Sequence, residues 1–176
     1  MATRKPTPTG TEQFFDTSEI IVSKTDCNGR ITYANDVFLR VSGYSEKELF
    51  YKAHSIIRHP DMPRAVFQLL WDTIVAGNEI FAYVNNLCKN GDHYWVFAHV
   101  TPSFDTSGQL VGYHSSRRVP NREAVKTITK LYREMLAEEE RHEERFVGIQ
   151  KSMALLLGHL SQSQVQYDEF IFALQG

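Results

Sequence analysis

Arg58-His59-Pro60-Asp61 sets a guanidinium, an imidazole and a carboxylate within four residues. Arginine offers a fixed fork of donors suited to phosphate or carboxylate, and histidine can donate, accept or ligate a metal. A plainer reading competes: Asp61 caps a helix opening at Pro63, and Arg58 pairs with a surface carboxylate. Asn86 is a second candidate, because a side-chain amide donates and accepts at once. Asn85 precedes it, so in a strand one of the two points away. The stretch 93–101 sorts into two faces. Tyr94, Val96, Ala98 and Val100 share one, on which the three small residues suit a cavity wall. Trp95, Phe97, His99 and Thr101 share the other, where Trp and Phe need a cover of helices, N-terminal segment or second subunit. The opposite assignment, with Trp95 and Phe97 as core, is the alternative. Cys27 and Cys88 form no CxxC motif, and no metal site is read from them. No nucleophile–base pair, Gly-rich phosphate loop or HExxH string is present, so an enzyme is the least expected class.

These residues need elements to hold them. Residues 19–25 read as a strand, 26–29 (Asp-Cys-Asn-Gly) as a hairpin turn, and 30–34 as the partner strand. Asn35 opens a short helix over 36–42, stopped by Gly43. Ser45 and Glu48 fit a capping box. A wide apolar stripe over 62–76 predicts a largely buried helix, ended by Gly77. Residues 80–88, 93–104 and 109–118 are three further strands, joined by Lys89-Asn-Gly-Asp92 and Asp105-Thr-Ser-Gly108. Five strands with the helices grouped in one connection predict an α+β fold: a five-stranded antiparallel sheet with helices on one face. Such a curved sheet encloses a small cavity.

The 176 residues allow one domain and an extension. Apolar residues at 42% and 11 Phe, 8 Tyr and 2 Trp are enough for a real core. Nineteen basic against twenty-one acidic residues leave no surplus for phosphate-backbone binding, so nucleic acid is not an expected partner. No membrane span or signal peptide is read, and the expected compartment is the cytoplasm. Residues 1–13 read as a disordered Pro/Thr arm, 14–119 as one compact domain, and 120–176 as a helical extension for dimerisation or output. Asn121 is a good N-cap after Pro120. The run Glu138 to Arg145 is charged all round and is expected to be solvated or bridging, between apolar stripes that need a partner.

Three motifs carry a resemblance: Ile31-Thr-Tyr-Ala-Asn-Asp36 with Val41-Ser-Gly-Tyr44, Arg58-His-Pro-Asp-Met-Pro63 with Phe67 and Trp71, and Lys89-Asn-Gly-Asp-His-Tyr-Trp-Val96. Over about residues 19–118 the chain resembles the PAS domain of the Aer-type aerotaxis and energy-taxis receptors, in a PAS-only form. The resemblance implies the PAS fold, bound FAD, and a role as a redox or energy sensor for a chemotaxis transducer partner. It implies a cofactor pocket drawn from Asn35, Arg58, His59, Asp61, Trp71, Asn86, Val96 and Ala98, with Asn86 facing the ring. The chain departs from the Aer-type pattern where that family carries Trp-Ser-Gly and this sequence reads Ile80-Phe81-Ala82. The cysteine that blue-light PAS photosensors need is absent from Ile56-Ile-Arg-His59, which disfavours thiol photochemistry.

Two alternatives stand beside FAD. One is haem b ligated by His54, His59, His99 or His114. The other is a cofactor-free PAS module for dimerisation and docking. A homodimer is expected in either the leading or the docking reading.

Overall fold

The computed structural model describes residues 5–176. Five strands, β1 (Ile21–Thr25), β2 (Ile31–Ala34), β3 (Ile80–Leu87), β4 (His93–Phe104) and β5 (Leu110–Arg118), form one antiparallel sheet in the order β2-β1-β5-β4-β3. The connection from β2 to β3 holds α1 (Asp36–Ser42), α2 (Glu46–Leu49), a 3₁₀ turn (His54–Ile57) and α3 (Arg64–Val75). These pack on the inner face of the sheet. The extension supplies α4 (Arg122–Glu140), α5 (Arg145–Ser163) and α6 (Tyr167–Gln175).

Local chemistry explains the boundaries. The Asn35 side chain accepts from the Phe38 amide and caps α1, and Gly43 ends that helix at φ 74°. Ser45 and Glu48 make the expected capping box on α2. Asn121 accepts from the amides of Glu123 and Ala124 and starts α4. Gly29, at φ 74°, closes the β1–β2 turn. A Cβ there would also lie 2.9 Å from the Trp71 ring, so the turn packs directly on α3.

The two faces of β4 separate as the alternation predicts. Tyr94, Val96 and Ala98 are buried inward, and Val100 follows them. On the outer face Trp95 stacks on Tyr132 of α4, and Phe97 meets Phe172 of α6. The chain's own α4 and α6 therefore provide the cover for Trp95 and Phe97. Ala124, Val125, Ile128, Leu131, Tyr132 and Met135 form the buried stripe of α4.

β3 is an edge strand, and three of its outward carbonyls are taken up. Phe81 O accepts from Tyr167 Oη at 3.0 Å, Tyr83 O from Tyr132 Oη at 2.8 Å, and Asn85 O from the His59 amide at 3.3 Å. Two helices of the extension and the segment before α3 thus seal an edge that would otherwise invite strand pairing.

Two features differ from the sequence reading. The arm expected to be disordered is tied down from Lys5 onward, while residues 1–4 of it lie outside the described residues. Thr9 and Gln13 donate to the Asp92 carboxylate, and Thr11 O accepts from the His93 amide. Glu12 takes both terminal nitrogens of Arg122. Unpaired polar groups along β4 and α4 supply the hydrogen bonds that composition did not show. Within the charged run 138–145, Glu139 turns inward and is only 2% exposed.

Candidate functional site

A cavity of about 280 Å³ lies between the inner face of the sheet, the 3₁₀ turn and α3. Phe67, Leu70, Trp71 and Ile74 present one side of α3 to it. Val84, Ala98 and Val100 line it from the sheet, and Asn28 and Gly29 from the β1–β2 turn. Trp71 meets Tyr113 edge-on at 5.4 Å between centroids, which fixes the indole across one end. The volume suits a ring system and leaves anything larger to extend through the opening.

The polar groups are fewer and less satisfied than an ordinary interior requires. Arg117 on β5 is 2% exposed. Its Nη2 donates to Ser23 Oγ at 2.5 Å, and the guanidinium lies 4.5 Å from the centre of the Phe38 ring. Among the described residues its Nε and Nη1 are buried and have no partner. Arg58 stacks at 3.5 Å over Phe67, and its Nε is likewise buried without a partner. Asn86 Nδ2 is a third such donor. No lining residue is acidic. Burial lowers the pKa of both arginines to about 10, which still leaves them charged at neutral pH. Two cations that lack carboxylate partners at a cavity wall are costly unless a ligand completes them.

His54 completes the polar end. Its Nε2 lies 3.1 Å from Ser23 Oγ, which already accepts from Arg117. The serine hydroxyl can donate to Nε2 while accepting from Arg117, an arrangement that suits a neutral imidazole. Burial first, then the charges of Arg117 and Arg58, push its pKa down to about 3.

The structure distributes the eight expected site residues unevenly. Arg58, Trp71, Asn86 and Ala98 are on the cavity wall. Asn35, His59, Asp61 and Val96 are not among its lining residues. Asn35 is committed to the main chain: its Oδ1 accepts from Val22 and Phe38, and its Nδ2 donates to Ile20 O. His59 is buried one residue beyond Arg58, its Nδ1 accepting from the Asp61 amide and its ring set edge-on to His93. The Asp61 side chain is 78% exposed. It does not cap α3, whose N-cap, Pro63, has no side-chain hydrogen bond. Val96 is fully buried in the core beside the cavity. Ile80, which stands in place of the Aer-type Trp, packs with Ile74 and Tyr113 behind the wall.

Sequence reasoning missed Arg117, Ser23, Ser115 and Thr25, and treated His54 and His114 only as possible haem ligands. The signal was the period-two row Tyr113, Ser115, Arg117 on β5. It acquires meaning only once the register places β5 at the centre of the sheet.

Comparison with known proteins matches this architecture to one family. Residues 31–117 match the profile described as the PAS fold. That segment of the chain is a PAS domain. It is of the aerotaxis-receptor type: 117 residues, 66% of the chain, are 41% identical to the aerotaxis receptor of Escherichia coli (strain K12). The nitrogen fixation regulatory protein of Klebsiella pneumoniae is 29% identical over 57% of the chain. The chain spans only about a quarter to a fifth of these relatives, 23% and 20%. Among solved structures, the blue-light photoreceptor Aureochrome1 LOV in its dark state superposes with a TM-score of 0.54. It shares 22% identity, with 63% of this chain and 81% of that one covered. No helix among the described residues is long and apolar enough to cross a membrane.

Proposed function

We propose that the chain is a redox-sensing PAS subunit that binds FAD non-covalently in the cavity and signals to a chemotaxis-type transducer. One observation carries the ligand reading: Arg58 Nε, Arg117 Nε and Nη1, and Asn86 Nδ2 are buried donors with no partner at a largely apolar slot. The group that fits there is flat, apolar on its faces and rich in acceptors along one edge. A flavin ring meets that description, and it is the group the Aer-type relationship implies. When bound, FAD would supply a reversible redox centre.

The protein's part is holding and reading. Trp71, Phe67, Val84, Ala98 and Val100 would hold the ring faces, and their packing excludes water. Arg117, Asn86 and Arg58 would hold the edge. They sit on β5, on β3 and on the segment leading into α3, so one ligand grips two strands and a helix. The output is the helical extension, which acts on a partner or on a second copy of the chain in the cytoplasm. Its signal is a change of packing between two states, biased by how tightly the three donors are held.

Absorption spectroscopy tests this directly. The purified protein, supplied with FAD, is expected to be yellow with a flavin spectrum that bleaches on reduction. Protein that stays colourless after FAD is added overturns the reading. A Soret band in haem-supplemented protein would favour haem instead, with His54 or His114 on the cavity wall as its ligand.

A further inference from the structure

We propose that Glu139 couples the cavity to the C-terminal helices by serving as the detachable cap of α3. The proposal rests on the cavity being the ligand site, and not on which ligand fills it. α3 begins at Arg64 behind Pro63, which offers no side-chain cap. The first amides of a helix have no partner within it. Here they are satisfied from outside. Glu139 Oε2 accepts from the Arg64 amide at 3.0 Å, and Oε1 accepts from the Ala65 amide at 2.9 Å. Both oxygens of one carboxylate are thus placed on the positive end of the helix dipole, 74 and 75 residues away in sequence.

The geometry gives this contact two ends. On the cavity side, Phe67, Leu70, Trp71 and Ile74 of the same helix line the wall, and Arg58 stacks on Phe67. A ligand that draws on Arg58 or presses on Phe67 moves α3 as a unit, because its 12 residues form one continuous helix. On the output side, Glu139 stands at the last turn of α4, next to the corner into α5. Gly148 of α5 lies so close that a Cβ there would come within 2.8 Å of the Glu139 carbonyl oxygen. The corner and the carboxylate therefore move together. The neighbouring Glu140, Arg141, Glu143, Glu144 and Arg145 are all exposed. Release of Glu139 would give the corner one more solvated charge and leave the rest of its surface as it is. The outer-face anchors, Tyr132 and Tyr167 on the β3 carbonyls, tie α4 and α6 to the sheet independently of the α3 cap. α3 also packs along α5, but the corner itself is reached from the cavity through one buried carboxylate.

A double-mutant cycle read by amide hydrogen exchange on the full chain tests the coupling without a ligand. Phe67→Ala disturbs α3 from the cavity side, and Glu139→Gln puts an amide NH₂ against one of the two capped N–H groups. Glu139→Gln alone is expected to speed exchange at Arg64 and Ala65 by about tenfold, the loss of one buried, charge-assisted hydrogen bond. Phe67→Ala alone is expected to speed exchange across 136–150. In the Glu139→Gln background, Phe67→Ala is expected to leave 136–150 unchanged. Added FAD should likewise alter exchange at 136–150 in the wild type and not in Glu139→Gln, with FAD affinity within about threefold of wild type. The proposal is overturned if the Phe67→Ala effect at 136–150 persists in the Glu139→Gln background, or if the Arg64 and Ala65 amides exchange alike with and without the carboxylate. Failure of FAD to bind either protein would overturn the ligand reading alone, since the cycle stands without it.

Discussion

The two faces of the sheet are built from the same strands and finished in different ways. The outer face carries Phe81, Trp95 and Phe97, and the chain covers it with its own helices: rings meet rings, and the hydroxyls of Tyr83, Tyr132 and Tyr167 each find a carbonyl. The inner face is closed over much of its area by α1 and α3, yet Arg58, Arg117 and Asn86 keep buried donors that nothing among the described residues satisfies. A folded chain leaves few such groups, because each costs about 1–3 kcal/mol, and more when charged. The contrast separates structure from function within one sheet. Among the described residues the outer face leaves the neutral amide oxygen of Asn85 without a partner, while the inner face leaves charged donors that a ligand would complete.

Arg117→Met breaks this comparison most sharply, because it is expected to act with opposite sign on stability and on binding. It deletes a buried, under-partnered charge, so the ligand-free protein should gain about 1 kcal/mol in a urea titration. It also deletes the donors that a ligand edge would use. FAD affinity should fall by at least about tenfold, since hydrogen bonds from charged groups are each worth roughly 1.5–3 kcal/mol. A loss of stability together with unchanged affinity would show that the guanidinium is structural and that the inner face is as complete as the outer one.

How far the sequence reached follows the same division. Elements were legible because their signals are local: Asn35 and Asn121 as caps, Ser45 with Glu48 as a capping box, Gly29 in the hairpin turn, and the stripe of α3. The alternation on β4 was legible because its two faces differ so much in size. The cavity was harder to read. Arg58 was found through its motif and Asn86 through its amide and its place on the strand, while Arg117 and Ser23 face the cavity only because β5 lies between β1 and β4, a pairing no short window contains. Glu139 was hidden for a related reason. In a run of charged residues nothing local distinguishes the one that turns inward, and its partners lie more than seventy residues away. The motif RHPD misled in the other direction. It concentrates reactive side chains in sequence, yet the chain sends Arg58 to the cavity, His59 into the loop packing and Asp61 to solvent.

The inner face should also betray itself by its pH dependence, through His54. Its pKa of about 3 in the folded chain lies below the ordinary value of 6.5. Above pH 6.5 both folded and unfolded forms carry it neutral, and its contribution is fully present. As pH falls below 6.5 the unfolded chain takes up a proton that the folded chain refuses, and stability declines until about pH 3. The expected loss is about 2 kcal/mol between pH 7.5 and pH 5. His54→Gln should flatten that part of the curve, because an amide keeps a partner for Ser23 without titrating. If wild type and variant lose stability in parallel over this range, the imidazole is not held neutral at the wall, and the polar end of the cavity is wetter than the comparison requires.

The smallest test lies on the outer face and asks whether it is as finished as it looks. Tyr132 is 4% exposed, its ring stacks on Trp95, and its hydroxyl closes the Tyr83 carbonyl on the β3 edge at 2.8 Å. Tyr132→Phe keeps the ring and removes the donor. Burial first, then the neighbouring Tyr167 and Tyr83 hydroxyls, push the pKa of this hydroxyl well above 10, so the group donates as a neutral phenol throughout the working range. Its loss should cost about 1 kcal/mol in chemical denaturation, the usual net value of one hydrogen bond. FAD affinity should not change, because Tyr132 is not among the cavity-lining residues and the inward side chains of β3 are untouched. Should affinity fall with Tyr132→Phe, the two faces are not independent. The edge of β3 would then be a second route, beside Glu139, by which the cavity and the extension sense each other.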